Sequence, residues 1–332
     1  MTTRHLVDPE LLPLLDRIPP IQITPETLPQ IRAMRREANA QMAAAAPAFP
    51  DVEVEERRVP GPDGAPEVRV LIYLPKDAPR PLPALLWIHG GGYVFGSADG
   101  DDAKVKEMVS LLGCAAVSVD YRLAPETPHP GPVEDCYAAL TWLHANAAQL
   151  GVDTTRIAIG GKSAGGGLAA GLGLLTRDRG EVPLVFQLLI YPMLDDRTAV
   201  AGDPHPHVGE FVWTPEANLV GWTALLGKAP GGEGVSPYAA AARAESVAGL
   251  PATFISVGAL DLFVEENLEY ARRLMRAGVP TELHVYPGAF HGFSMLASAQ
   301  VSQAYHRDLM DALRRALHPR GAPEPEGAPG GG

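Results

Sequence analysis

Apolar residues in this chain come in short, nearly unbroken runs separated by longer amphipathic stretches. Runs at 84–88, 115–119, 157–159, 185–190, 252–257 and 283–286 have the continuous hydrophobicity of strands covered on both faces of a parallel sheet. Helices are predicted between them over 103–112, 133–147, 164–177 and 265–277, and a last one over 298–317. Strand–helix alternation of this kind indicates an α/β domain with a mostly parallel sheet. Upstream, 52–59 alternates apolar and charged residues like a half-exposed edge strand. Pro60-Gly61-Pro62-Asp63-Gly64 reads as a turn, and 68–74 supplies the partner strand of an antiparallel hairpin. Before the hairpin, Pro25 opens a helix running to about Ala46, with Ile31, Met34 and Met42 along it.

One segment breaks the rhythm. Residues 195–229 hold Pro204, Pro206 and Pro215 and bring Phe211, Trp213 and Trp222 close together. A long aromatic insertion is often a lid; an ordinary surface excursion is the rival reading. The expected organisation is an N-terminal helical cap segment over 1–50 and a catalytic domain over 51–318. Within that domain 195–229 is a second cap or lid. Residues 319–332 form a Pro/Gly-rich tail expected to be disordered.

Composition narrows the function classes. With 27 Lys and Arg against 39 Asp and Glu, the net charge is −12. That disfavours nucleic-acid binding, which neutralises phosphates with basic side chains, and attraction to anionic membranes. No stretch has the apolar length of a membrane span or the pattern of a signal peptide, so a cytoplasmic location is expected. The two cysteines, Cys114 and Cys136, are too few for a disulfide framework and are expected to be reduced.

The chemistry concentrates in four places. Gly161-Lys162-Ser163-Ala164-Gly165 follows a predicted strand and opens a predicted helix, the setting in which a Gly-x-Ser-x-Gly bend exposes a nucleophilic serine. Alone it is weak, with ~0.1 chance matches in a chain of this composition; Gly165-Gly166-Gly167 is also explained by tight helix–strand packing. His89-Gly90-Gly91-Gly92, after another predicted strand, has only ~0.01 chance matches. Its glycine amides suit the oxygen that turns negative during acyl transfer. Gly91 and Gly92 are assigned that task together with the Ala164 N–H, and His89 is read as a loop brace.

A serine needs a base and the base an orienting acid, in the chain order Ser, acid, His. His291 stands out among ten histidines because Gly288-Ala289-Phe290-His291-Gly292-Phe293 lies just beyond the last predicted strand. Asp261 is the first carboxylate after the preceding one; Glu265 and Glu266 read as charges at a helix N-terminus. The candidate triad is therefore Ser163, Asp261 and His291. His205 and His207 lack further ligands for a metal. Tyr93, Phe95, Phe211 and Trp213 are candidate substrate-pocket residues, with core packing as the alternative. Lys162 either tunes the nucleophile's electrostatics or is a surface lysine paired with an acid.

Together these blocks resemble the hormone-sensitive lipase family of esterases, the bacterial family IV carboxylesterases. The similarity spans about 81–293 and includes Asp120-Tyr121-Arg122-Leu123-Ala124-Pro125-Glu126, the segment from Glu134 to Leu140, and Tyr191-Pro192. It implies an eight-stranded α/β-hydrolase core with a helical cap. It implies a carboxylesterase acting on short- to medium-acyl esters with no cofactor. It also implies that Asp120, Arg122 and Glu126 form a buried polar network under the oxyanion loop. The sequence departs from the family where Lys162 replaces the usual Asp before the nucleophile, and where Asp261-Leu262-Phe263 lacks the usual proline. Hydrolysis of lactones, amides or carbamates, acyl transfer to an alcohol, and a non-catalytic receptor on the same fold are the alternatives. A small-molecule ester is the expected partner, with a homodimer compatible with the sequence.

Overall fold

The computed structural model describes residues 2–18 and 22–319. Its strands are β1 (Val52–Val59), β2 (Val68–Pro75), β3 (Leu82–Ile88), β4 (Ala115–Asp120), β5 (Val152–Lys162), β6 (Phe186–Ile190), β7 (Ala252–Gly258) and β8 (Thr281–Tyr286). Its α-helices are α1 (Leu12–Leu15), α2 (Leu28–Ala45), α3 (Asp102–Leu112), α4 (Gly131–Ala145), α5 (Ala147–Leu150), α6 (Ala164–Arg179), α7 (Pro215–Leu226), α8 (Val264–Arg276) and α9 (Gln300–Leu317). The strands form one eight-stranded sheet in the order β1-β2-β4-β3-β5-β6-β7-β8. β2 runs antiparallel to both neighbours and every other pair is parallel. This is the α/β-hydrolase architecture.

Side-chain alternation explains how the sheet acquires two cores. In β3, Leu86 and Ile88 belong to the cluster shared with α4 and α6, whereas Leu85 and Trp87 join the cluster shared with α3 and α9. All four are at most 1% exposed. A strand buried on both faces has no polar side to show, which is why its sequence reads as a continuous apolar run. The two cysteines lie in different clusters, Cys136 in the first and Cys114 in the second. Both are free thiols.

Connectivity sets where a site can form. From β3 the chain steps outward to β4 and then returns to β5 on the other side of β3. Such a reversal of strand order opens a crevice at the carboxyl ends of the strands. The segments after β3, β5, β7 and β8 meet there.

Three expectations need correction. β8 ends the sheet, and most of it is half-buried; an edge strand is not covered on both sides. α2 begins at Leu28 and not at Pro25. There a turn intervenes, with the Thr27 hydroxyl donating to Gln22 O and the Leu28 N–H to Thr24 O. Along α2 only Leu28 and Ile31 join the core, while Met34 and Met42 are 47% and 60% exposed. The apolar burial is confined to the start of the helix; further along it packs through polar residues, with Asn39 close against Gly100. Among the described residues no helix is long and apolar enough to cross a membrane. The expected tail lies, from residue 320 on, outside the described residues.

Candidate active site

Ser163 sits on the bend between β5 and α6 with φ 56° and ψ −124°, a region L-residues seldom occupy. The bend is held from three directions. The Ser163 N–H donates to Ile190 O at 2.8 Å, and its carbonyl accepts from Gly167 N at 3.0 Å and Met193 N at 3.1 Å. Gly165 is required by close approach: a Cβ there would lie 2.2 Å from Ile88 O and 2.3 Å from His89 O. Without that contact α6 could not press its first turn against the end of β3.

His291 Nε2 lies 2.9 Å from Ser163 Oγ, and His291 Nδ1 lies 2.8 Å from Asp261 Oδ2. All three side chains are buried. Asp261 Oδ1 also accepts the Phe263 N–H at 3.0 Å, so both carboxylate oxygens are oriented. The missing family proline at Leu262 leaves this arrangement intact, because the bond is made by the next residue. Aromatic rings fence the imidazole: Tyr191 and Phe263 stand edge-on at 4.8 and 5.2 Å, and Trp213 lies at 6.4 Å.

The glycine loop after β3 lies against this serine. A Cβ on Gly90 would sit 3.3 Å from the Ser163 Cβ. Gly91 O accepts from the Val94 and Phe95 N–H groups, both at 3.0 Å. Gly92 has φ 56°, and a Cβ there would meet the Trp213 ring at 2.0 Å. The Ala164 N–H is in the first turn of α6, where amides lack intrahelical acceptors. His89 stacks on Tyr121 at 4.3 Å, and its Nδ1 lies 2.8 Å from Gly90 O. Burial holds its imidazole below the ordinary value, hence neutral. Its Nε2 has no hydrogen-bond partner among the described residues.

The Asp-Tyr-Arg-Leu-Ala-Pro-Glu block supports this loop, but less buried than expected. Tyr121 Oη donates to His89 O, the Ala98 N–H donates to Asp120, and Arg122 forks onto Asp135. Asp135 is fully buried, yet Asp120 is half-buried and the Glu126 side chain is 62% exposed. Glu126 instead binds both Arg32 Nη atoms, at 2.7 and 2.8 Å. Arg32 also donates to Val94 O and Ala124 O, tying α2 to the oxyanion-loop segment.

Lys162 Nζ pairs with Asp101, a nearly buried carboxylate whose other oxygen accepts Trp87 Nε1–H at 2.8 Å. Burial is the largest influence and lowers the lysine's proton affinity, but the charge and hydrogen bond of Asp101 together with the nearby Tyr191 outweigh it and the net shift is upward. Of the candidate pocket residues, Phe95 and Trp213 meet edge-on at 6.4 Å, and Trp213 stands 6.4 Å from the imidazole. Phe211 is half-buried and packs on Phe290 at 6.0 Å. Tyr93 is fully buried, with its hydroxyl donating to Met193 O and its ring against Trp222, so it braces the loop from inside.

Sequence reasoning missed several participants. Glu266 stands in the first turn of α8 as expected, but it is buried; its carboxylate accepts the Leu194 N–H and binds the Thr198 hydroxyl. Burial pushes it well above the usual carboxylate range. Val212 has φ 66°, and Trp213 N donates to Phe211 O at 2.7 Å. This tight, strained turn brings Phe211 and Trp213 to the site. A valine carries no sequence signal for it. Asp101 and Arg32 are equally unmarked, because their partners are remote in sequence.

A serine on a strand–turn–helix bend at the switch point of such a sheet defines the class, a hydrolase of the α/β-hydrolase fold. The chain belongs to the alpha/beta hydrolase fold family matched over residues 85–295, in its hormone-sensitive lipase-like branch. It is a carboxylic ester hydrolase. The carboxylesterase NlhH of Mycobacterium tuberculosis is 36% identical over 320 residues, covering 94% of this chain and 97% of that protein. An arylesterase of Saccharolobus solfataricus is 31% identical over 86% and 92% of the two chains. Among solved structures, a bacterial heroin esterase superposes with a TM-score of 0.89 at 43% identity, over 95% of this chain and 99% of its own.

Proposed function

We propose that Ser163, His291 and Asp261 carry ester hydrolysis through an acyl-enzyme intermediate on short- to medium-acyl substrates. His291 takes the Ser163 proton as Oγ attacks the ester carbonyl, and Asp261 holds the imidazole in the required tautomer. The Gly91, Gly92 and Ala164 amides stabilise the oxyanion. His291 then protonates the leaving alkoxide and activates a water that releases the acid. The observation that carries this reading is the buried relay of two hydrogen bonds, 2.9 Å and 2.8 Å, joining hydroxyl, imidazole and carboxylate. Phe95, Phe211 and Trp213 are the proposed pocket walls. The chain before β1 and the 195–229 insertion are the proposed cap, and Trp213 within 6.4 Å of the imidazole supports that role. A cytoplasmic location and a homodimer complete the proposal; light scattering in solution tests the dimer.

The central test is Ser163→Ala on p-nitrophenyl acetate and butyrate. A fall in kcat of about 10⁶-fold is expected; turnover near the parent enzyme's would remove the serine from the mechanism. For Lys162, a shifted pH–rate profile in Lys162→Met assigns it an electrostatic influence on the triad. An unchanged profile assigns it to structure alone.

A further inference from the structure

Glu266 lies on the first turn of α8, shortly after Asp261, and is 7% exposed. Its Oε1 accepts the Leu194 N–H at 2.6 Å and the Asp195 N–H at 3.4 Å, and its Oε2 accepts the Thr198 hydroxyl. The next residue, Asn267, is fully buried, and its Nδ2 donates to Pro192 O at 2.8 Å. Adjacent side chains of one helix thus grip the chain on both sides of Met193. Burying a carboxylate costs more than burying an apolar side chain of the same size unless its oxygens are answered. Among the described residues the donors that answer Glu266 all belong to the segment that follows β6.

Met193 carries this grip to the reacting centre. It is fully buried; its N–H donates to Ser163 O at 3.1 Å, and its carbonyl accepts the Tyr93 hydroxyl at 3.0 Å. A Cβ on Gly167 would lie 2.1 Å from that carbonyl, so α6 presses on the same peptide. Ser163 and Tyr93 both have a left-handed φ, 56° and 67°. Residues other than glycine stay in that region only where their surroundings over-determine them. Ser163 bears the nucleophile, and Tyr93 follows Gly92 directly at the end of the oxyanion loop. The two strained residues share one anchor, and α8 fixes that anchor from behind.

We infer that Glu266 is a positioning residue for the nucleophile: acting through Met193, it holds Ser163 and the oxyanion loop in the strained conformations from which attack on the ester carbonyl occurs. The inference rests on the ester-hydrolase reading and adds to it a residue that never touches substrate. It places the effect on the chemical step and not on substrate binding.

The test is kinetic, on p-nitrophenyl butyrate, with reactive Ser163 counted by the p-nitrophenol released when diethyl p-nitrophenyl phosphate is reacted to completion. The readout is kcat per titrated serine, which a loss of folded protein alone does not move. Glu266→Leu keeps the volume and removes the acceptor. Its kcat per serine should fall about 10²-fold, the scale of a small misplacement of reacting groups, with KM little changed. Glu266→Gln should keep most of the parent rate, because its carbonyl oxygen still accepts the Leu194 N–H. Tyr93→Phe frees the other side of Met193, so Glu266→Leu and Tyr93→Phe together should lose less than the product of their separate losses. Should Glu266→Leu give no titratable serine, Glu266→Asp decides. Its carboxylate is withdrawn by one methylene, and about a tenfold fall is expected, the scale of one hydrogen bond. An unchanged kcat per serine in Glu266→Leu or Glu266→Asp overturns the inference, as does a Gln variant as slow as Leu or a fully multiplicative pair with Tyr93→Phe. Each of these leaves the esterase reading standing; a parent enzyme that turns over no ester removes both.

Discussion

Gly92 shows how little room the catalytic residues have. Its left-handed φ is tolerable for alanine at modest strain, but the methyl group would overlap the Trp213 ring at 2.0 Å. Either the loop moves or the tryptophan does. Gly92→Ala is therefore expected to lower kcat/KM by about 10²–10³-fold, as loss of one oxyanion donor does. Gly92→Ala combined with Trp213→Ala should recover part of that loss. Absence of any recovery would mean that Trp213 is not what the new methyl meets.

Lys162 makes a second prediction at this scale. Replacing it by Met leaves the Asp101 carboxylate, whose side chain is 4% exposed, with only the Trp87 indole as donor. The lysine side chain is itself 37% exposed, so the cost should be roughly 1–3 kcal/mol, below that of breaking a fully buried pair. Urea unfolding at pH 7 measures it. The folded state raises the lysine's proton affinity. Its contribution is therefore complete below the ordinary value of about 10.4 and is lost as pH climbs past it. The gap between parent and variant should close at strongly alkaline pH.

At the scale of elements, α2 is held both by the buried Leu28 and Ile31 and by Arg32, which bonds Val94 O, Ala124 O and Glu126. Hydrogen bonding to Arg32 holds the Glu126 carboxyl down at about 2. A depressed carboxylate stabilises its contact above the unfolded value of about 4.3 and loses it as pH falls toward 2. Protection of the α2 amides, taken relative to their intrinsic exchange rates at each pH, should accordingly fall between about pH 5 and pH 2. In Arg32→Gln it should already be low at pH 7. Exchange that is equally slow in both proteins would show that the buried Leu28 and Ile31 alone hold the helix.

The elements most legible in the sequence were those whose environment is uniform along their length. β1 is legible to the residue, because its edge position leaves the charged residues between Val52 and Val59 exposed or half-buried. β3, β4 and β7 were read within two residues at either end, because each is apolar on both faces. β5 is much longer than its apolar run; its first half, Val152–Arg156, is polar and mostly half-buried. α7 was invisible as a helix inside 195–229. Its start is marked by Thr214, whose hydroxyl accepts the Ala217 N–H, and by Pro215. Aromatic and proline content drew attention away from that cap.

For the whole molecule, the sheet divides the interior into two cores that share its strands. Leu85 and Leu86 are adjacent in sequence, each fully buried, and belong to opposite cores. Leu85→Ala and Leu86→Ala should each destabilise the protein by about 2–5 kcal/mol. Val54→Ala on β1, at a position 38% exposed, should stay within about 0.5 kcal/mol. Chemical denaturation compares the three; a mild effect at one of the two leucines would mean that its face of the sheet is loosely packed.

The sequence by itself determined the fold class and the three residues to watch. Both follow from local order: apolar runs give strands, glycine spacing gives the bend at Ser163, and position after a strand singles out Asp261 and His291. What only the tertiary structure decided is which remote groups answer one another. Asp101 takes Lys162, Glu126 takes Arg32, Glu266 holds the loop after β6, and Tyr93 turns inward while Trp213 closes on Gly92. Each is a pairing across dozens of residues or more. Charge and hydrogen-bond complementarity act through space, and the distance between two side chains exists only once the chain has folded.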